Sequence, residues 1–521
     1  MRALLVTSVG VTCAAALTLP LAAPALSVPA AHSASARPPS LSPESRGSGP
    51  PSARAEAAPD EATEGNEGDA PEVSEVPEVA PPRTGETRAA ALAGSTQSLP
   101  LEPLAAPSDR SVGPAAPGQG LDRRTARPFS LVGVVWDDAE AELHGTVQVR
   151  TRATGGTSWS DWQDVETHNA EHAADLGSAE RASGAVRGAT APLWVGDSDG
   201  VEVRVRPEAA DPQHRSAAVP LPEGLRLELV DPGEDPAPEP APEPAPDAPA
   251  GRTVTPATFA GNPVPPTTTA AVVPEVLTAE SAATSAVNAD LAPLGAAVIP
   301  ALTKAETEEE AAIVAAGAKP YIGPRPKIVT RKGWGADEKL RERNFAYTKS
   351  VKAAFVHHSA SGNNYTCKQA PSVLRSIYRY HVKSSGWRDF GYNFAVDKCG
   401  NIYEGRAGGV AKAVLGAHTL GFNTNTMGVA VLGTYSSTNP PAAAVTAVSK
   451  LTAWKLGLFG ANPKGKVTLV SGGSGKYKKG KKVKMNVISG HRDGFATECP
   501  GARLYKKLGT ARTSSAKLQG R

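Results

Sequence analysis

The chain has 521 residues, 40% of them hydrophobic, and a formal net charge of +3. Near-neutrality hides a division: residues 325 to 521 carry 34 Lys+Arg against 8 Asp+Glu, and the remainder is acidic. Beyond the N-terminal stretch no apolar run is long enough to span a bilayer, so no transmembrane helix is expected after signal removal.

Met1-Arg2 leads into an apolar segment, Ala3 to Leu26, with small-residue cleavage sites at Ala23-Pro24-Ala25 and His32-Ser33-Ala34. This pattern predicts a secretory signal peptide within residues 1–34. Cys13 follows Thr12, which does not suit a lipoprotein cleavage site. Residues 35–126 are rich in Pro, Ala, Ser, Gly and Glu and nearly free of aromatics. Such a segment cannot bury enough surface to offset its chain entropy, so a disordered tether is expected. Residues 231–320 read as a second linker, whose Pro-Ala-Pro-Glu repeats between Asp235 and Ala250 favour extended polyproline II.

Between them, residues 127–230 form an island of strand patterns. Val147, Val149 and Thr151 alternate with Gln148, Arg150 and Arg152, and Val201, Val203 and Val205 alternate with Glu202, Arg204 and Arg206. Period-2 alternation with Gly-rich turns predicts a small antiparallel, sandwich-like all-β domain. Trp159 and Trp162 read as plugs for its core, with stacking on a sugar ring as the alternative.

Residues 321–510 are the largest ordered unit expected, with 511–521 as a tail. Ala353 to Val356 and Met427 to Leu432 are continuous apolar runs of strand length. Ala370–Lys383 and Ala442–Phe459 carry apolar residues at helical spacing, and Gly391–Val396 with Ile402–Glu404 reads as a hairpin around Asp397-Lys-Cys-Gly400. Strands buried on both sides and interleaved with helices predict an α/β domain, a mixed sheet flanked by helices.

Two strand ends carry histidine. One is the pair His357-His358 and the other is His491, followed eight residues later by Cys499 before Pro500-Gly501. Two imidazoles and one thiolate form a three-ligand set for zinc that leaves the fourth tetrahedral position open, as in catalytic rather than structural sites. Removal of the signal peptide leaves three cysteines, an odd number for an exported chain. Pairing Cys367 with Cys399 and keeping Cys499 for metal accounts for this, although spacing alone does not fix the connectivity. The lysine cluster of residues 475–484 makes the basic half a candidate for binding an anionic cell-wall polymer, which suits an exported chain better than nucleic acid does. A solvated hairpin is the alternative reading of that cluster.

Five blocks in fixed order carry a resemblance: Phe355-Val-His-His-Ser359, Gly386-Trp-Arg-Asp-Phe-Gly-Tyr-Asn-Phe394, Gly400-Asn-Ile-Tyr-Glu-Gly-Arg406, Gly416-Ala-His-Thr-Leu-Gly-Phe-Asn423, and Gly490-His-Arg-Asp with Thr497-Glu-Cys-Pro-Gly501. Over about residues 325 to 508 the chain resembles the peptidoglycan recognition protein family, whose active members are zinc-dependent N-acetylmuramoyl-L-alanine amidases. The resemblance implies His357, His491 and Cys499 as the Zn2+ ligands, with Tyr392 and Thr497 as catalytic residues. It further implies His418 and Asn423 as substrate-groove residues. Trp387 and Arg406 read as groove wall, with core packing for Trp387 and an ion pair to Asp389 for Arg406 as alternatives; Asp389 itself reads as a turn former or an acceptor for a ligand imidazole. The implied protein is a secreted, wall-associated monomer acting on peptidoglycan. A non-catalytic peptidoglycan-binding module is the first alternative, and a thiol peptidase using Cys499 and His491 is the second.

Overall fold

The computed structural model describes residues 94–104, 118–208, 219–236, 277–314 and 321–521. The expected signal peptide lies outside these residues, as does most of the expected tether and linker. Period-2 alternation gives an antiparallel domain built from β1 (Ser95–Pro100), β2 (Glu102–Pro103), β3 (Gln119–Trp136), β4 (Gly145–Ala153), β5 (Gln163–Val165), β6 (Gly188–Ala189), β7 (Leu193–Pro207) and β8 (Arg226–Asp231). The strands pair in the order β1-β8-β3-β7-β4-β5, with β2 and β6 also on β3. Val147, Val149, Val201, Val203, Val205, Leu227 and Leu229 pack into its own core.

Side chains of the other parity serve a different purpose. Leu131 and Val135 of β3, Trp194 of β7 and Val230 of β8 join a second core with Val373, Ile377 and Tyr380 of the C-terminal domain. Alternation on these strands therefore buries both faces, one inward and one against the neighbouring domain. Gly133 sits in this seam, and a Cβ there would lie 2.5 Å from Cε2 and Cζ of Tyr380. The Tyr380 hydroxyl donates to the Thr190 carbonyl at 3.1 Å.

Three boundaries differ from expectation. The β-domain begins at Ser95, inside the expected tether, because β1 pairs with β8 over six registered residues. Backbone pairing of this kind asks little of composition, so the polar Ser95-Thr-Gln-Ser98 run gave no strand signal. The expected linker contains α1 (Ala279–Ala286), β9 (Val298–Ile299) and α2 (Lys304–Val314). Asn288, after α1, donates to Glu404 at 2.9 Å, and Arg325 Nε donates to the Pro300 carbonyl at 3.1 Å, tying the segment to the C-terminal domain. The expected tail is the end of a long helix, α6 below. Trp159 and Trp162 also differ, since neither enters the core. Trp162 lies half-buried under the guanidinium groups of Arg204 and Arg150, 4.0 and 4.7 Å from its ring centre, and Trp159 lies under Arg123 at 5.1 Å.

The C-terminal domain continues with β10 (Ile328–Val329), β11 (Ala353–His358), α3 (Ala370–Arg379), β12 (Phe394–Val396), β13 (Ile402–Glu404), β14 (Thr426–Val431) and α4 (Ala442–Leu458). It ends with β15 (Lys466–Val470), β16 (Lys482–Asn486), β17 (Ile488–Gly490), α5 (His491–Gly494) and α6 (Ala502–Gln519). Its sheet has the order β17-β11-β14-β12-β13-β10-β9. β11 runs parallel to both β14 and β17, and the β12–β13 pair is antiparallel. The hairpin turns on buried Asp397, whose Oδ1 accepts from the amides of Cys399 and Asn401 at 2.9 Å each. Cys367 and Cys399 form a disulfide that ties the entry of α3 to this hairpin. The lysine cluster occupies the connection between β15 and β16 and the start of β16. Among the described residues no helix is long and apolar enough to cross a membrane.

Candidate metal centre

The parallel pairing of β11 and β17 sets Val356 opposite Gly490. The next residue on each strand is therefore His357 and His491, side by side where the strands end. Their ring centroids are 4.5 Å apart, and both side chains are fully buried. The loop after α5 returns Cys499, whose Sγ lies 3.8 Å from His357 Nδ1. A fourth donor comes from the β-domain: His172 Nε2 is 3.1 Å from His491 Nδ1. One ligand atom from each of His172, His357, His491 and Cys499 lies within 4.8 Å of all the others.

These residues suit a tetrahedral N/S metal ion. Ligand bonds of about 2.0–2.3 Å place neighbouring donor atoms about 3.3–3.6 Å apart, which the spacings of 3.1 and 3.8 Å bracket. Burial keeps both His357 and His491 well below the usual imidazole range, with like-charge repulsion from neighbouring histidines adding to it. Both rings are thus neutral and able to ligate. Burial likewise holds His172 down, to about 3. The Cys499 thiol is pushed well up by burial, so its deprotonation is coupled to the arrival of a cation. His172 Nδ1 and His491 Nε2 are buried without a hydrogen-bond partner among the described residues.

Around the cluster, Thr419 Oγ1 lies 3.4 Å from His357 Nε2 and 3.0 Å from His418 Nδ1. His358 faces away, and its Nδ1 accepts from the Tyr435 amide at 3.2 Å. Tyr392 is buried, with its ring 5.3 Å from that of His357. Burial, then the Cys499 charge, raises its phenol well above the ordinary value, so it remains a neutral donor. Thr497 accepts from the Cys499 amide at 3.1 Å and donates to Glu171 of the β-domain at 2.7 Å. Asn423 braces the loop that carries His418: its Oδ1 accepts from the amides of His418 and Thr419 at 2.7 and 3.0 Å.

Two of the alternatives left open by the sequence are not met among the described residues: Asp389 as acceptor for a ligand imidazole, and an Arg406–Asp389 ion pair. Asp389 meets no ligand imidazole among the described residues; it accepts from Arg331 at 3.0 Å and from the Ala407 amide at 2.8 Å. With Asp389 engaged by Arg331, Arg406 forms a two-pronged ion pair with Glu180 of the β-domain, at 2.8 and 2.9 Å. Trp387 is buried and stacks on His381, 4.4 Å between ring centres. Sequence reasoning missed His381, and it missed Glu171, His172, Asp175 and Glu180. The available signal was the long polar connection 166–187 between β5 and β6, since connections of this length are commonly functional.

A mixed sheet presenting a His, His and Cys cluster at parallel strand ends defines an α/β domain with a candidate metal centre, and comparison with known proteins gives the family. Residues 347–502 match the N-acetylmuramoyl-L-alanine amidase family model, and residues 83–224 match a model described as Rv3811 N-terminal galactose-binding domain-like. Peptidoglycan-recognition protein SC2 of Drosophila simulans is 30% identical over 185 residues, covering 35% of this chain and 85% of that protein. Human N-acetylmuramoyl-L-alanine amidase is 31% identical over 216 residues, 39% of this chain and 32% of that one. The solved structure of wild-type Drosophila PGRP-LB is 25% identical, covering 35% of this chain and 92% of that chain, with a TM-score of 0.28. The chain belongs to the family of peptidoglycan-recognition proteins and N-acetylmuramoyl-L-alanine amidases.

Proposed function

We propose that the protein is a secreted zinc-dependent N-acetylmuramoyl-L-alanine amidase, which hydrolyses the amide between the muramic acid lactyl group and L-alanine of peptidoglycan. The observation that carries this reading is the convergence of His357, His491 and Cys499 on one buried point. Zinc bound there supplies Lewis-acid polarisation and activates water near neutral pH.

The protein groups have separate tasks. His357, His491 and Cys499 hold the metal, and Thr419 fixes the His357 ring through its second nitrogen, as outer partners of metal-bound histidines do. Tyr392 donates its phenolic proton in a hydrogen bond to the oxyanion that develops on the attacked carbonyl. Thr497 steadies the loop that carries the thiolate through the Cys499 amide. His418, Asn423, Arg406 and Trp387 form the adjoining groove wall. The basic surface of the lysine cluster brings the domain to anionic wall polymers.

The test is mass spectrometry of purified peptidoglycan after digestion by the full chain and by Cys499→Ser, with zinc content measured for both. Wild type is expected to bind one zinc and release lactyl-alanine cleavage products at a low but measurable rate, and the variant to lose both properties. Equal cleavage by the two proteins overturns the assignment.

A further inference from the structure

The three family ligands make an open site, yet here a fourth donor faces them. We infer that residues 166–187 of the β-domain are a built-in plug: His172 is the fourth protein ligand to the metal, and the flanking carboxylates fill the groove, so the chain as folded is the latent form. This rests on the zinc-site reading above.

Four anchors hold the plug, each to a different part of the groove. His172 is buried between His491 and His357, with ring centroids 4.4 and 5.2 Å away, and its ring stands 6.0 Å from that of Tyr392. Glu171 accepts from Thr497 Oγ1 at 2.7 Å, and its carbonyl accepts from the Leu420 amide at 2.9 Å. Asp175 accepts from the Gly421 amide at 2.8 Å and from Asn423 Nδ2 at 2.7 Å; Asn423 Nδ2 also donates to the Ala173 carbonyl at 2.8 Å. Glu180 closes the far end on Arg406 and accepts from the Arg388 amide at 3.1 Å. A zinc site with four protein ligands is of the closed, structural type, whereas catalysis needs a position for water or substrate. Thr497 and Asn423, which the resemblance places in chemistry and binding, and Arg406, which reads as groove wall, are thus occupied by the chain's own carboxylates and a backbone carbonyl. The plug is exposed between its last two anchors, at Leu176-Gly177, and beyond the last one, at Ala182–Ala185, so the segment is accessible to whatever releases it.

The test loads the full chain with Co2+ and titrates it with azide, following the visible ligand-field bands. Wild type is expected to keep its bands unchanged, because all four positions are filled by protein. In His172→Ala the bands should shift saturably, and lactyl-alanine release should rise at least about tenfold, as expected when the competent state goes from a small to a major fraction. Equal azide response in the two proteins overturns the plug. Should His172→Ala fail to fold, the double variant Asp175→Asn/Glu180→Gln loosens the plug away from the metal; azide affinity at least about tenfold above wild type is expected, and unchanged affinity overturns the inference. The cobalt readout separates the two ideas. A selective azide response without cleavage by any variant keeps the plug and sinks the amidase reading. Cleavage by both proteins with equal azide response does the reverse, and a wild type that binds no cobalt sinks both.

Discussion

Gly133→Ala probes the seam between the two domains. The added methyl would sit 2.5 Å from Cε2 and Cζ of Tyr380, and that ring is fully buried, with its hydroxyl held by the Thr190 carbonyl. Either the β3 backbone or the buried ring must shift, and overpacking of this kind costs about 1–3 kcal/mol. Truncating the ring in Tyr380→Ala costs about 3–5 kcal/mol, since it leaves a cavity the size of an aromatic side chain. The two changes are not independent, because once the ring is gone the methyl has space. The double variant should therefore be no less stable than Tyr380→Ala, a coupling of about 1–3 kcal/mol. Urea unfolding followed by tryptophan fluorescence measures it, because Trp194 and Trp334 belong to the same core. Additive losses in the double variant would refute the claim that Gly133 is required by the Tyr380 ring.

Tyr392→Phe should lower amide cleavage by about 10²–10³ with zinc content unchanged, as loss of one oxyanion donor does; cleavage at the wild-type rate would remove Tyr392 from the chemistry. Cys399→Ser should lower the urea stability by about 2–4 kcal/mol, the usual effect of opening a loop of this length, and an unchanged midpoint would count against the crosslink as a stabiliser. Burial lowers His358 to about 4 and His418 to about 3, so the unfolded chain takes up protons first as the pH falls below about 6.5. Metal-free protein should therefore lose stability from pH 7 to pH 5, with each of these rings contributing about 2 kcal/mol of that loss. His418→Gln should flatten the pH dependence by its share; matching slopes in variant and parent would rule out burial of this ring as a cause.

What could be read from the sequence was whatever leaves a local pattern. β11 and β14 are buried on both faces and appear as unbroken apolar runs, and the amphipathic spacing of Val373, Leu374 and Ile377 marked α3. His357, His491 and Cys499 stood out because strand ends and a Pro-Gly turn frame them. β1 was invisible, since an edge strand held by backbone bonds to β8 needs no hydrophobic alternation of its own. Trp159 and Trp162 misled for a related reason: a large aromatic side chain suggests a core, but an indole beneath two guanidinium groups is equally well placed. For His172 the only signal was the length of its connection. Its partner His491 is 319 residues away, and the connection that carries it has neither periodicity nor a motif.

Chain order gives the seating of that connection a temporal meaning. Domains near the N-terminus tend to fold first, so the β-domain can be complete before β17 and the Cys499 loop have taken shape. The groove would then close around a guest already waiting for it, and at no stage of its maturation would the newly made groove stand uncovered.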